Sequence, residues 1–308
     1  MYKLTVTPSP QIRGNVSTQR IMLAVIAALV PAVIAGTLLF GIRALLVIFT
    51  CTISCVMFEY LSRLIMKRSN TVSDFSAAVT GVLLALNLPS TIPLRFAIIG
   101  SFVAIVVVKQ LFGGLGQNFA NPAIVARIVL MLSFPSYMSG SAFVCDAFTG
   151  ATPLADPAHS FTYAQLFLGK CGGCIGETCA LALIIGGIFL VAVRVISPAA
   201  PLSFITVLAV CTLIAGGDPV YQILSGGVLL GAIFMATDYV TTPLTFSGKL
   251  VFGAGCGLIT FVIRFYASIP EGVSYSILIM NILTPYIDMF TKKRIFGIVK
   301  EKKEADAQ

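Results

Sequence analysis

Apolar residues in this chain come in long runs, without the alternation of a half-buried strand or the single stripe of a soluble helix. The runs fall near residues 20–40, 43–64, 76–89, 95–112, 122–137, 175–196, 202–216, 221–237, 249–264 and 272–290. A helix needs roughly 20 apolar residues to cross a bilayer. The pattern therefore predicts an all-α polytopic membrane protein with about ten transmembrane helices. Several runs are shorter or interrupted by Gly and Pro, which predicts half-helices or reentrant turns sheltered inside protein, because lipid offers an unpaired backbone no partner. The first run starts after Arg13 and Arg20, is long enough to span, and lacks a convincing small-residue cleavage site, so it reads as an uncleaved first helix.

Composition narrows the class further. The 308 residues are 57% hydrophobic and 10% charged, against about 25% charged in soluble domains, so a soluble fold is excluded. The net charge of +8 does not indicate nucleic acid, because the basic residues stand at the ends of apolar runs. With ten spans and both termini inside, sixteen of the 20 Lys and Arg fall on the inner side, leaving Arg43, Arg95, Lys170 and Arg264 outside. That asymmetry orients the chain. It divides into a cytoplasmic segment 1–19, a first membrane half 20–137, an extracytoplasmic loop 138–174, a second half 175–290 and a basic cytoplasmic tail 291–308.

The halves echo one another. Thr80-Gly81-Val82-Leu83-Leu84 returns as Gly226-Gly227-Val228-Leu229-Leu230, and the polar stretches that follow end in Thr91-Ile92-Pro93-Leu94 and Thr241-Thr242-Pro243-Leu244. Five helices per half would give two repeats of inverted topology, an arrangement that gathers sites near the midplane. So short an echo in Gly/Leu-rich sequence is also compatible with chance.

Three polar stretches are not explained by apolar composition. In the first, Gly113, Gly114 and Gly116 precede Gln117, Asn118 and Asn121-Pro122, the last pair a helix-start signal. A tight membrane-level turn and a ligand site both fit. The second, Asp146-Ala147-Phe148-Thr149-Gly150-Ala151-Thr152-Pro153, reads from its residues alone as a surface loop. No residue there, including the lone His159, forms a nucleophile with its base, and no catalytic residue is assigned. The third, Met235-Ala236-Thr237-Asp238, places a carboxylate at a span end, as a solvated cap or as the acid that loads a cation or proton. Asp288 carries the same ambiguity. Cys171, Cys174 and Cys179 have the spacing with which a metal ligand set begins, but a fourth ligand is wanting, so no metal is assigned; a disulfide of Cys145 with Cys171 or Cys174 stays open.

Taken in order, several segments resemble the membrane-protein family shared by Rnf-type ion-translocating ferredoxin:NAD oxidoreductases, as their D component, and Na+-translocating NADH:quinone reductases, as their B component. They are Ser9-Pro10-Gln11-Ile12-Arg13, the block from Gly113 to Arg127, Asp146 to Thr152, Gly173-Cys174-Ile175-Gly176-Glu177, Met235 to Asp238 and Pro270-Glu271-Gly272. Lys109 followed by Gln110, where the quinone reductases carry an acid, resembles the Rnf branch. Cys174 departs from the small Ser-like residue expected at its position.

The resemblance implies more than the residues show. In this family the Asp-x-x-Ser/Thr-Gly-Ala-Thr motif accepts FMN, joined by a flavin transferase through a phosphoester to the final Thr, here Thr152, with Asp146, Thr149, Gly150 and Ala151 completing the motif. Gly113, Gly114, Gly116, Asn118, Asn121 and Glu177 are implied as neighbours, with a second, non-covalent riboflavin nearer the inner face; in such a pump the carboxylate of Asp238 becomes a candidate for the ion path. The implied role is a membrane-bound electron-transfer subunit of a redox-driven Na+ or H+ pump in a prokaryotic cell membrane. It would work with iron–sulfur and flavin subunits, including an exported covalent-FMN subunit. Inverted repeats with broken helices serve a small-solute transporter or channel equally well, and a structural scaffold would keep the helices without flavin.

Overall fold

A computed structural model describes residues 17–138, 153–155, 161–267 and 271–291, and every regular element among them is helical. The first helix, α1 (Thr18–Ile65), has 48 residues. At about 1.5 Å per residue a straight rod of that length would measure about 70 Å, more than twice the hydrocarbon core. It is not straight. Gly41 stands at φ 72°, ψ −168°, a conformation that a Cβ would forbid. Gln19 Nε2 donates to Ser73 O at 2.8 Å, and Thr71 Oγ1 donates to Glu59 Oε1 at 3.0 Å. Both ends of α1 therefore meet the same short stretch, and the chain doubles back at Gly41. One helical run covers both apolar stretches, 20–40 and 43–64.

The next helices are short. α2 (Ser76–Leu86) buries all of its residues but one. α3 (Leu94–Phe102) continues as a π-helical turn, Val103–Gln110, and α4 (Pro122–Ser133) begins with Asn121 as its cap, Asn121 Oδ1 accepting from Ala123 N at 3.0 Å. After α5 (Pro135–Met138) and α6 (Tyr163–Leu168) come α7 (Ala180–Ala192), α8 (Ala199–Ile214) and α9 (Pro219–Leu224). The run expected at 221–237 is broken into the end of α9, α10 (Val228–Leu230) and a second π-helical turn, Gly231–Met235. α11 (Phe246–Tyr266) packs on α8, and α12 (Val273–Thr291) packs on α11.

Among the described residues, only α1, α11 and α12 are long and apolar enough to cross a membrane by themselves, while α2, α4, α7 and α8 are apolar but shorter. Outward-facing side chains are apolar too: Leu38, Ile42, Ile214 and Phe290 are all largely exposed, the reverse of a water-facing surface. The molecule is a polytopic membrane protein with broken helices inside it. Those broken ends meet. Asn87, which closes α2, reaches Met235 Sδ at 3.6 Å, and Gly176 N and Ile175 N donate to Leu86 O and Leu88 O at 2.8 and 3.1 Å. The two echoing segments thus bring their following residues, Asn87 and Met235, into contact.

Candidate functional sites at two cavities

A cavity of about 90 Å³ opens where α1, α2, α4 and the second π turn converge, lined among others by Ser76, Lys109, Asn118, Asn121 and Asp238. Asn118 Nδ2 donates to Ala120 O at 3.0 Å, and Asn121 Nδ2 to Met235 O at 3.5 Å. Asn281 of α12 donates to Thr241 O and accepts from Asn121 N, each at 3.2 Å. Asp238 Oδ2 accepts from Thr241 Oγ1 at 3.2 Å, and its carboxylate enters none of the ion pairs among the described residues. Burial pushes its carboxyl above the usual carboxylate range; the Val240 amide, the Thr241 hydroxyl and the charge of Lys109 pull it back. A carboxylate in this position binds a cation or a proton at small cost, because its own negative charge is poorly compensated.

Lys109, next to last in the first π turn, is 2% exposed. Its Nζ donates to both oxygens of Glu59, at 3.0 and 3.1 Å, and to Ser76 Oγ at 2.8 Å, while Gln110 Nε2 donates to Glu59 Oε1 at 3.1 Å. The buried acid thus comes from α1, and Gln110 serves it as a donor. The glycine loop behind this cluster turns sharply: Gly113, Gly114 and Gly116 all have φ between 91° and 124°. Gly113 N and Gly114 N donate to Gln110 O and Lys109 O at 3.1 and 2.9 Å. Two of the three glycine amides therefore close the helix end, which is the bonding of a turn.

Midway along α4, six residues and about 9 Å of helix rise beyond Asn121, lies Arg127, 3% exposed. Its guanidinium donates to Asn87 Oδ1, to Glu177 Oε1, to Glu271 Oε1 and, at 3.4 Å, to Cys174 Sγ. It ties the end of α2, the segment before α7 and the turn before α12 to α4. Cys174, Glu177 and Glu271 offer ligand atoms within 4.8 Å of one another, but the guanidinium already bonds all three, so this centre is filled by a cation of the chain itself. Cys174 and Cys179 are free thiols.

Glu177 and Glu271 also line a second cavity, about 50 Å³, with Pro153, Gly173, Thr178 and Gly226. Tyr221 Oη donates to Pro153 O at 3.1 Å, fixing the chain at that point. Two polar atoms here, Thr178 Oγ1 and Glu271 Oε2, are shielded from solvent and have no hydrogen-bond partner among the described residues. Orphaned buried polar atoms are costly, and both belong to the lining of this cavity.

Of the residues singled out from sequence, Asp146, Thr149, Gly150, Ala151 and Thr152 lie outside the described residues, as do Cys145 and His159. The rest are divided. Asn118, Asn121 and Asp238 share the first cavity, and Glu177 lines the second, beside the residue that follows Thr152. Arg127, Asn87, Glu59 and Glu271 received no role from sequence reasoning. Arg127 and Glu59 could have been found as charges inside apolar runs, which lipid tolerates only when they are paired. Arg127 counted as an inner-face anchor in the topology; it is a buried ion-pair partner instead.

Residues 5–297 match the NQR2, RnfD, RnfE family. A relative from Acetobacterium woodii, named as the D component of a Na+-translocating ferredoxin:NAD+ oxidoreductase complex, is 48% identical, covering 99% of this chain and 98% of its own length. One from Clostridium ljungdahlii, named as the D component of a proton-translocating ferredoxin:NAD+ oxidoreductase complex, is 40% identical over 95% of this chain and 96% of its own. An Escherichia coli relative, named as the D component of an ion-translocating oxidoreductase complex, is 32% identical over 95% and 98%.

Proposed function

The chain belongs to the NQR2, RnfD, RnfE family, and from that premise we propose that it is an electron-transfer subunit of a redox-driven Na+ or H+ pump of the ferredoxin:NAD oxidoreductase type, carrying FMN on Thr152 through a phosphoester. It crosses a prokaryotic cell membrane ten times in two five-helix halves of opposite topology, with both ends in the cytoplasm and the loop bearing Thr152 outside. It works in a complex with iron–sulfur and flavin subunits, one of them an exported covalent-FMN protein, and a flavin transferase matures it. The relatives named for Na+ and for protons lie at 48% and 40% identity, so likeness alone does not choose the ion.

The observation that carries this reading is the second cavity. It begins at Pro153, the neighbour of Thr152, and its lining contains the two orphaned polar atoms of Thr178 and Glu271. A polar group tethered one residue away would give both a partner. Thr178 and Glu271 would hold it, with Glu177 and Arg127 behind them setting the local charge. A flavin bound there supplies one-electron and two-electron redox chemistry, while the protein supplies position and electrostatics. Glu177 and Glu271 face Arg127 and Arg264 around the cavity, and Gly173 and Gly226 line it without side chains. Asp238, in the first cavity, is the acid of the ion path, and a second, non-covalent riboflavin completes the cofactor set.

The test is ultraviolet fluorescence of the denatured subunit in a gel, after co-expression with a flavin transferase and beside a Thr152→Ala version. Denaturation strips non-covalent flavin. A band fluorescent in the native chain and dark in Thr152→Ala supports the reading; a dark native band, with the transferase active on a control substrate, removes it and favours a solute transporter.

A further inference from the structure

Arg63, in the last turn of α1, is 8% exposed. Its guanidinium donates to no described residue, its Nε is shielded from solvent, and it enters none of the ion pairs among the described residues. Arginine is rarely so buried without a countercharge. The backbone at this end offers none of its carbonyls: Ser62 O, Arg63 O and Leu64 O accept from Met66 N, Arg68 N and Lys67 N, and Lys109 O and Gln110 O accept from Gly114 N and Gly113 N. Gln110 Oε1 is a buried acceptor left over beside them, but it is neutral and would leave the charge uncompensated. The acids are engaged elsewhere or too few. Glu59 bonds Lys109, Gln110 and Thr71, and Asp238 feels Lys109 across the first cavity. Asp74, before α2, forms no ion pair among the described residues. Against it stand Arg63, Lys67 and Arg68, and Lys109 is near enough to Arg63 to repel it.

The chain makes room for this guanidinium. Lys67 takes a left-handed conformation, φ 51°, and turns the backbone so that Arg68 N closes on Arg63 O and Arg68 Nη1 reaches Gln110 O at 3.3 Å. A Cβ on Gly114, φ 106°, would stand 2.2 Å from Arg63 Nη2, so a side chain there would drive the guanidinium away. Two arginines thus converge on the glycine loop. Leu64 and Ile65, beside Arg63, and Leu111 and Phe112, just before the loop, are all exposed, in a chain whose exposed apolar side chains face lipid. A guanidinium matches a phosphate with two parallel hydrogen bonds, and basic sites at the ends of transmembrane helices take acidic headgroups. We propose that Arg63, with Arg68 beside it, binds the phosphate of an anionic phospholipid whose acyl chains lie along Leu64, Ile65, Leu111 and Phe112. The apolar flanks favour a lipid over a free phosphate, which gains nothing from them. The phosphate supplies the acceptor oxygens and the negative charge that the chain itself withholds from Arg63. The site uses no flavin and no residue of the ion path.

The experiment titrates the full chain, purified in detergent and freed of lipid, with phosphatidylglycerol or phosphatidylcholine and counts bound lipid by native mass spectrometry. The native chain is expected to hold phosphatidylglycerol more tightly than phosphatidylcholine. Arg63→Gln should weaken phosphatidylglycerol binding about tenfold or more, the worth of a charge-assisted hydrogen bond, and leave phosphatidylcholine unchanged. Arg63→Lys, which keeps the charge and loses the fork, should fall between the two. Phosphatidylglycerol held equally by the native chain and Arg63→Gln overturns the proposal, and if that variant instead sheds neighbouring subunits from the complex, the countercharge is a carboxylate of a partner. Inorganic phosphate that displaces the lipid at equal concentration overturns it as well, in favour of a free anion. If Arg63→Gln does not fold, a photoactivatable phosphatidylglycerol is applied to the native chain. Cross-links are then expected on the peptides that hold Leu64 and Ile65 or Leu111 and Phe112; cross-links confined to other peptides overturn the proposal.

Discussion

Arg127 is the residue whose loss the structure makes most expensive. Replacing it with Met keeps much of its volume and removes the guanidinium from Glu177, Glu271 and Asn87 at once. Removing one partner of a buried ion pair costs about 3–5 kcal/mol, and an amide oxygen left unsatisfied adds about 1–3 kcal/mol. A total near 4–8 kcal/mol compares with a whole-protein stability of about 5–15 kcal/mol. At about 2–4 °C per kcal/mol, Arg127→Met should melt roughly 8–32 °C below the native chain. The chain has no Trp, so the assay is a thiol-reactive dye in detergent, reporting exposure of the buried thiols of Cys51, Cys55, Cys174 and Cys256. Combining Arg127→Met with Glu177→Gln and Glu271→Gln removes the bare charges and should recover at least half of the loss, because a neutralised site no longer contains an unpaired ion. A single variant that melts within a few degrees of native, or a triple variant as unstable as the single one, would refute the reasoning.

Three further outcomes follow from the same geometry. Because the Glu271 carboxyl titrates above its ordinary value of about 4.3, the folded chain binds that proton more tightly than the unfolded chain; stability should fall as pH rises from about 4.3 through the raised value, and Glu271→Gln should flatten the dye-melt profile. Asp238→Asn should leave electron flow measurable while ion uptake into reconstituted vesicles drops at least tenfold per electron; full coupling in that variant removes Asp238 from the ion path. Gly41→Ala forces a Cβ into φ 72°, ψ −168°, which costs about 1–3 kcal/mol and should lower the melt midpoint by a few degrees; no change would mean that the reversal of α1 does not depend on glycine.

The helices were legible because bilayer thickness and the absence of water inside it write themselves into apolar run length. Even the broken runs near 76–89 and 221–237 announced themselves by Gly and Pro, and their elements are short and internal. What the pattern did not show was the reversal inside α1: two spans were evident, but nothing in composition said that hydrogen bonding would continue to either side of Gly41. Asn121-Pro122 was readable as a helix start, because cap chemistry is local. Arg127 was not readable as a node, since its partners Asn87, Glu177 and Glu271 are 40, 50 and 144 residues away. The glycine loop shows the opposite case, a conspicuous motif whose amides are largely occupied in closing a helix. Position 110 required both levels: a Gln next to a Lys reads as the loss of an acid, until Glu59 is found supplying one from another helix.

The covalent bond at Thr152 can be read by peptide mass spectrometry of the subunit purified from cells that contain the flavin transferase. The peptide holding Asp146 to Pro153 is expected to be heavier by FMN less one water, with fragmentation placing the added mass on Thr152, and the Thr152→Ala peptide to lack that added mass. The same peptide found only at its bare mass, from a subunit assembled in an active complex, would contradict it.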